Sequence, residues 1–132
     1  MNKFLFLDLD GVLIFHNTFS QEKALFVQEI INQTDVKIIL SSSWRFDESM
    51  IEMLENYFPI ASVTPQLEKQ PRRQEIKSWL KSNCENFEKA VILDDQPDAM
   101  LHHSKILPIQ TDSAFGLTNE QALTIIEFLN HD

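Results

Sequence analysis

The apolar positions of this chain alternate between short continuous runs and longer stretches of helical spacing. Residues 3–7 (KFLFL) form a near-continuous apolar run, the pattern of a strand buried on both faces. Ser20 then stands as N-cap of a helix predicted over 21–33, with Leu25, Val27, Ile30 and Ile31 among its apolar positions. Residues 36–40 read as a second strand. Asp47 caps a helix predicted over 48–57, which Pro59 terminates, and residues 60–63 make a short third strand. Residues 64–71 hold two prolines and mixed charges and read as a loop. A helix predicted over 72–82 carries Ile76, Trp79 and Leu80 on one face. Residues 90–93 are a fourth strand. Residues 106–109 are a weak fifth one, interrupted by Pro108 and therefore expected at a sheet edge. Gly116 precedes a last helix, and Thr118–Gln121 fit a capping box. Apolar strands alternating with amphipathic helices predict an α/β fold with a mostly parallel sheet.

Length and composition narrow this further. The 132 residues, 43% of them apolar, suffice for one domain with a real core, expected to span residues 1–132. Acids outnumber bases by 20 to 11, giving a formal charge of −9. That charge argues against a broad, non-specific grip on nucleic acid or anionic membrane, but it allows a local basic site. The single cysteine, Cys84, excludes an intrachain disulfide and a cysteine-rich zinc site, and it is expected to be inert. The apolar start resembles a signal peptide only until Asp8 and Asp10 interrupt it. No run of about 18 apolar residues exists to span a bilayer. The expectation is a soluble cytoplasmic domain with no membrane partner. Its oligomeric state is left open.

Parallel α/β sheets carry their sites at the carboxyl ends of the strands, near the point where strand order reverses. The first strand is followed by Asp8-Leu9-Asp10-Gly11, the second by Ser41-Ser42-Ser43-Trp44-Arg45 and the fourth by Asp94-Asp95. Taken singly, each aspartate reads equally well as a helix cap or turn residue, and the serine run reads more simply as ordinary loop. Taken together, they bring carboxylates and hydroxyls from distant segments to one rim. Such carboxylates repel one another, and burial raises their pKa values, so the cluster asks for a cation. Oxygen ligands without His or Cys point to Mg²⁺, which commonly serves phosphate chemistry. One carboxylate of the Asp8/Asp10 pair can then act as nucleophile while the other moves a proton. Gly11 permits the turn between them and the next segment.

Residues 4–13 (FLFLDLDGVL) resemble the first motif of the haloacid dehalogenase (HAD) superfamily, residues 38–41 its second, and residues 91–95 (VILDD) its fourth. More narrowly, residues 40–45 (LSSSWR), 72–76 (RRQEI), 110–112 and 116–118 are similar to the HAD domain of Swiss Army Knife RNA repair proteins. The resemblance implies a three-layer, Rossmann-like fold around a five-stranded sheet with little or no cap. It implies Asp8 as nucleophile and Asp10 as general acid/base, with the Asp10 backbone carbonyl on the metal. Ser41, with Ser42 beside it, would hold the transferring phosphoryl group. Asp8, Asp10 and Asp94 would hold Mg²⁺, and Asp95 would support it directly behind or through water. The third motif needs a cation near a helix start, with Arg72 as first choice, Arg73 as second and Lys69 as third.

Several neighbours keep two readings. Arg45 fits a second phosphate or a brace for an active-site carboxylate, and equally a surface ion pair with Asp47 or Glu48. Trp44 fits stacking on a base, though core or rim packing is the simpler reading. His16, His102 and His103 read as solvated loop residues, while Asp98 and Asp112 fit either a place in the site or a cap or turn. Only about seven residues separate Leu13 from the first helix, so no folded cap fits there. An open site suits a phosphate on a macromolecule, such as a nucleic-acid end or a phosphoprotein, or a small phosphoester accepted with poor discrimination. The expected function is thus a Mg²⁺-dependent phosphomonoesterase working through an aspartyl-phosphate. The alternative is a non-catalytic HAD-like module that binds a phosphorylated ligand or a partner.

Overall fold

The computed structural model describes residues 2–131. Five parallel strands form the central sheet: β1 (Lys3–Leu7), β4 (Lys37–Leu40), β5 (Ser62–Val63), β6 (Lys89–Asp94) and β7 (Ile106–Gln110). Their order is β5-β4-β1-β6-β7, so strand order reverses at β1. The expected three-layer, Rossmann-like α/β architecture is therefore present. Pro108 does not interrupt β7. It pairs with Ile92 inside the strand and is tolerated because β7 is an edge, where one side of the backbone has no strand neighbour.

Strand side chains alternate between the two faces. Leu5, Leu7, Ile38, Leu40, Val91 and Leu93 pack with buried residues of α1 (Gln21–Thr34), α2 (Glu48–Leu54) and α4 (Asn119–Asn130). Phe4, Phe6, Ile39, Ala90 and Ile92 pack on the opposite face with Ile76, Trp79 and Leu80 of α3 (Arg72–Asn83). Trp79 meets the edges of Phe4 and Phe6 at 5.0 and 5.6 Å between ring centres. Each fully buried side chain of this size contributes roughly 1.5–3 kcal/mol.

The helix starts follow the expected caps. The Ser20 hydroxyl accepts from Lys23 N, the Asp47 carboxylate from Met50 N, and Thr118 and Gln121 close a reciprocal box. The second helix is shorter than its periodicity predicts. It ends at Leu54, and tighter bonds from Asn56 N to Met53 O and from Tyr57 N to Leu54 O turn the chain toward β5.

One element is absent from the sequence-based expectation. Residues after Leu13 form a hairpin of β2 (Ile14–Phe15) and β3 (Thr18–Phe19). Its tip residues His16 and Asn17 have φ of 50° and 62°, the positive values a two-residue hairpin turn requires. No glycine marks the turn, so the usual signal is missing. Gly116 lets the loop before α4 pack on this hairpin: a Cβ there would lie 2.2 Å from the Phe15 ring. The hairpin is the whole insertion between β1 and α1, in keeping with the expected lack of a cap.

Candidate active site

The strand register alone assembles a polar row. Leu7 is paired with Leu40 on one side and Leu93 on the other, and Leu40 with Val63. One residue further on, Asp8, Ser41, Asp94 and Thr64 therefore come to the same level. The ladder continues into this row, with Asp8 N donating to Leu93 O at 3.0 Å, Ser41 N to Leu7 O at 3.0 Å and Thr64 N to Leu40 O at 3.1 Å. Alternation puts Asp8 on the side of Phe4 and Phe6, Ser41 on that of Ile39, and Asp94 on that of Ile92. The whole row thus faces α3, and all four residues are buried.

Arg72, the first residue of α3, closes the row from above. Its Nη1 lies 3.1 Å from Asp8 Oδ1 and 2.8 Å from Asp94 Oδ2. Asp94 Oδ1 accepts from Gln96 N at 2.9 Å, which fixes the carboxylate plane. Burial, and then the neighbouring Asp94 charge, push the Asp8 carboxyl up to about 8 against the pull of Arg72. Burial also raises Asp94, with Arg72 opposing. Burial disfavours the Arg72 charge, but Asp8 and Asp94 outweigh it and lift the guanidinium above its ordinary value.

Asp95 joins these two carboxylates. Asp8, Asp94 and Asp95 each offer an oxygen within 4.8 Å of the others. Gly11 makes this possible: at φ of 77° its backbone passes so close that a Cβ would lie 2.2 Å from Asp95 Oδ2. Thr111, after β7, secures the same turn by donating its hydroxyl to Gly11 O at 2.8 Å. The donor set is three hard carboxylates, two of them in contact with one guanidinium, without His or Cys, and it fits a small divalent cation such as Mg²⁺.

Two hydroxyls in the row have no partner. Ser41 Oγ and Thr64 Oγ1 are fully enclosed and make no hydrogen bond among the described residues. An unmatched buried hydroxyl costs about 1–3 kcal/mol. Ser41 sits beside Asp8, where an anionic group attached to that carboxylate would satisfy it. Ser42 differs, because its hydroxyl is already occupied as acceptor from Trp44 N at 3.1 Å, capping a short 3-10 turn.

Asp10 stands apart from the buried row. Its side chain is exposed, and Trp44 Nε1 donates to its Oδ2 at 3.1 Å. Trp44 otherwise packs at the edge of the core, as the simpler reading of it expected. Arg73 turns away from the carboxylates and donates to Asp98 O at 3.3 Å, while Lys69 lies in the preceding loop with φ of 60°. Asp112 accepts from Ala114 N at 2.8 Å, a turn role.

Arg45 corrects the surface-pair reading with Asp47 or Glu48. It is buried and donates to Thr64 O at 2.8 Å, Ser42 O at 2.9 Å, Pro65 O at 3.1 Å and Glu75 Oε2 at 3.1 Å. Glu75 Oε2 also accepts from Leu67 N at 3.0 Å. Burial pulls the Arg45 guanidinium down, and Glu75 opposes that pull. Sequence reasoning missed Glu75 because it reads as an ordinary exposed residue in a helical first turn. Thr64 was also missed, since it falls where the loop was expected to begin. Only the pairing of Leu40 with Val63 reveals its place in the row.

Among the described residues, no helix is long and apolar enough to cross a membrane. No curated protein and no solved structure matches the chain. The model of one family does match, over residues 4–122 and so across β1, the serine turn, α3 and the paired aspartates after β6. The chain belongs to that family, the HAD domain in Swiss Army Knife RNA repair proteins.

Proposed function

We propose that this protein is a Mg²⁺-dependent phosphomonoesterase that passes the phosphoryl group through Asp8 and acts on phosphorylated nucleic-acid ends. One observation carries the reading: a buried carboxylate, Asp8, lies between a guanidinium and a hydroxyl, Ser41 Oγ, that has no partner of its own. That is a nucleophile beside two groups suited to an incoming phosphoryl oxygen.

Asp8, Asp94 and Asp95 would hold the metal, together with the backbone carbonyl of Asp10. The metal, when bound, would offset the carboxylate charge and that of the phosphate. Asp8 Oδ attacks phosphorus and the bond to the leaving oxygen breaks. Asp10, at the open edge, gives that oxygen a proton. Asp10 then takes a proton from water as the water attacks the aspartyl-phosphate, releasing inorganic phosphate and restoring Asp8. Trp44 orients the Asp10 carboxylate through its indole N–H. Arg72 and Ser41 hold the equatorial oxygens throughout, the guanidinium supplying a planar set of donors.

Family membership and the uncapped rim support a macromolecular substrate. Turnover of an aryl phosphate and of oligonucleotides bearing 3′ or 5′ phosphates tests the proposal, with and without Mg²⁺. The expected result is metal-dependent hydrolysis that is more efficient on the oligonucleotides and lost in Asp8→Asn. Unchanged turnover in Asp8→Asn would refute the nucleophile. Binding of phosphorylated ligands without any turnover would favour a non-catalytic module.

A further inference from the structure

The bases of this acidic chain are unevenly distributed. Lys69, Arg72, Arg73, Lys77 and Lys81 are five of its eleven lysines and arginines, and they fall within residues 69–81. The only acid in that stretch is Glu75, which is buried against Arg45. On the other side of the sheet α1, α2 and α4 carry Glu22, Glu29, Glu48, Glu52, Glu120 and Glu127, with Lys23 as their sole base. The net charge of −9 therefore conceals a basic face, carried by the helix that also delivers Arg72 to the active site.

Helical spacing orders that face. Arg73, Lys77 and Lys81 follow at steps of four residues and so form one stripe about 12 Å long. Arg73 begins it, immediately next to Arg72, and is tied to the turn after β6 through Asp98 O. Lys77 and Lys81 are exposed and border a groove of about 370 Å³ between α3 and the loop leading into β7. Leu80 and Leu101 contribute to its apolar lining, and the exposed His102 and His103 stand on the facing loop. Glu85 is the one acidic side chain lining it. The His103 ring is fixed in place. Its Nδ1 accepts from Lys105 N at 3.0 Å, and it lies 5.6 Å from the Phe87 ring.

We infer that this groove is a track for single-stranded nucleic acid, which leads the strand from the phosphate held at Arg72 down the Arg73–Lys77–Lys81 stripe. The inference rests on the reading of the substrate as a phosphorylated strand end. Charge selects a polyanion, because this stretch gathers five of the eleven bases of a chain whose net charge is −9, with Glu75, its one acid, buried against Arg45. The apolar lining and the flat, pinned His103 ring select a single strand over a duplex. Unpaired bases can cover such surfaces, whereas a duplex turns only its backbone outward. Phosphates pair with the stripe while bases lie across the groove.

The test compares wild type with the exposed double variant Lys77→Gln/Lys81→Gln on an aryl phosphate and on a short oligouridine with a terminal phosphate. Direct binding of the same oligouridine is followed in parallel by fluorescence anisotropy over a range of salt concentrations. The inference expects about a tenfold weaker affinity for the oligouridine and a matching rise in its KM. It also expects a salt slope shallower by about 1.4, the contribution of two lost phosphate contacts. Aryl phosphate turnover and melting temperature stay at wild-type values. Unchanged oligouridine affinity in the variant would overturn the track, as would preference for a duplex or an acidic peptide. Wild-type hydrolysis of the aryl phosphate without oligouridine binding would overturn the track and leave the phosphatase reading standing. Oligouridine binding that depends on the two lysines, in a protein that hydrolyses neither substrate, would support the track and sink the phosphatase reading.

Discussion

Arg45 and Arg72 both meet buried carboxylates around the first turn of α3, yet they are connected in different ways. Arg45 is enclosed, and four of its five N–H donors are matched, to three backbone carbonyls and to Glu75. Arg72 makes its carboxylate contacts through Nη1 alone, to two aspartates. The first arrangement is saturated in that all three nitrogens, through four of the five N–H donors, already have acceptors within the fold, and burial closes it to a ligand. The second leaves donors and an unmatched hydroxyl, Ser41 Oγ, beside the same carboxylate. Because Glu75 and Arg72 share one helical turn, the saturated cluster also holds the unsaturated one in place. Arg45 ties the serine turn, the loop after β5 and α3 together, and Arg72 is positioned by that tie. A buried ion pair is weak ground for stability by itself, but one bonded at every nitrogen fixes geometry.

If the clusters differ in this way, substitutions should separate activity from stability. The largest effect is expected at Asp8. Asp8→Asn should lower turnover of an aryl phosphate on the order of 10⁴-fold or more, measured beside an unchanged circular dichroism spectrum. At the saturated cluster, Arg45→Met should destabilise by about 3–5 kcal/mol in denaturant unfolding, because Glu75 is left buried without its partner. Adding Glu75→Leu should recover much of that loss, and a double variant no more stable than Arg45→Met would contradict the clamp. At the other cluster, Arg72→Ala should cost about 10²–10³-fold in kcat/KM, with Arg72→Lys retaining part of the activity. It should leave the fold intact, since removing this guanidinium lets one carboxyl take up a proton instead.

Smaller effects sharpen the same contrast. The folded protein holds a proton on Asp8 up to about pH 8, whereas an unfolded aspartate releases it near 3.8. Between those values the folded state binds more protons, so stability falls as pH rises from about 4 to about 8. Without metal the melting temperature should decline over that range, Asp8→Asn should flatten the decline, and added Mg²⁺ should oppose it. A flat profile in wild type would mean that the carboxylates are not in conflict. The smallest effect is expected from Trp44→Phe, which removes one hydrogen bond to Asp10. It should lower kcat about fivefold, equivalent to about 1 kcal/mol, with little change in KM.

The unsaturated cluster was largely legible in the sequence, and the saturated one was not. Phe4 to Leu7 mark a buried strand, and parity alone then carries Asp8 to the side of Phe4 and Phe6. The same step from Ile92 places Asp94, and from Ile39 places Ser41. These positions follow from a period of two and from strand ends, both visible in residue order. Glu75 and Arg45 are 30 residues apart and meet across a loop, and no local periodicity encodes that contact. Thr64 required knowledge of which strand lies beside β4. The β2–β3 hairpin was hidden because His16 and Asn17 adopt positive φ without the glycine that normally announces it. The net charge allowed a local basic site without locating it, since a sum over the chain erases the clustering of bases along α3.

Trapping a phosphoryl group on the protein tests the proposed chemistry most directly. The Asp10→Asn variant, mixed with an aryl phosphate and Mg²⁺ and quenched in acid, is digested and its peptides are weighed by mass spectrometry. One added phosphoryl group on Asp8 is the expected result, absent when Asp8 is also replaced by Asn. Full turnover of substrate by wild type, with no phosphoryl group ever found on the Asp8 peptide, would contradict the account.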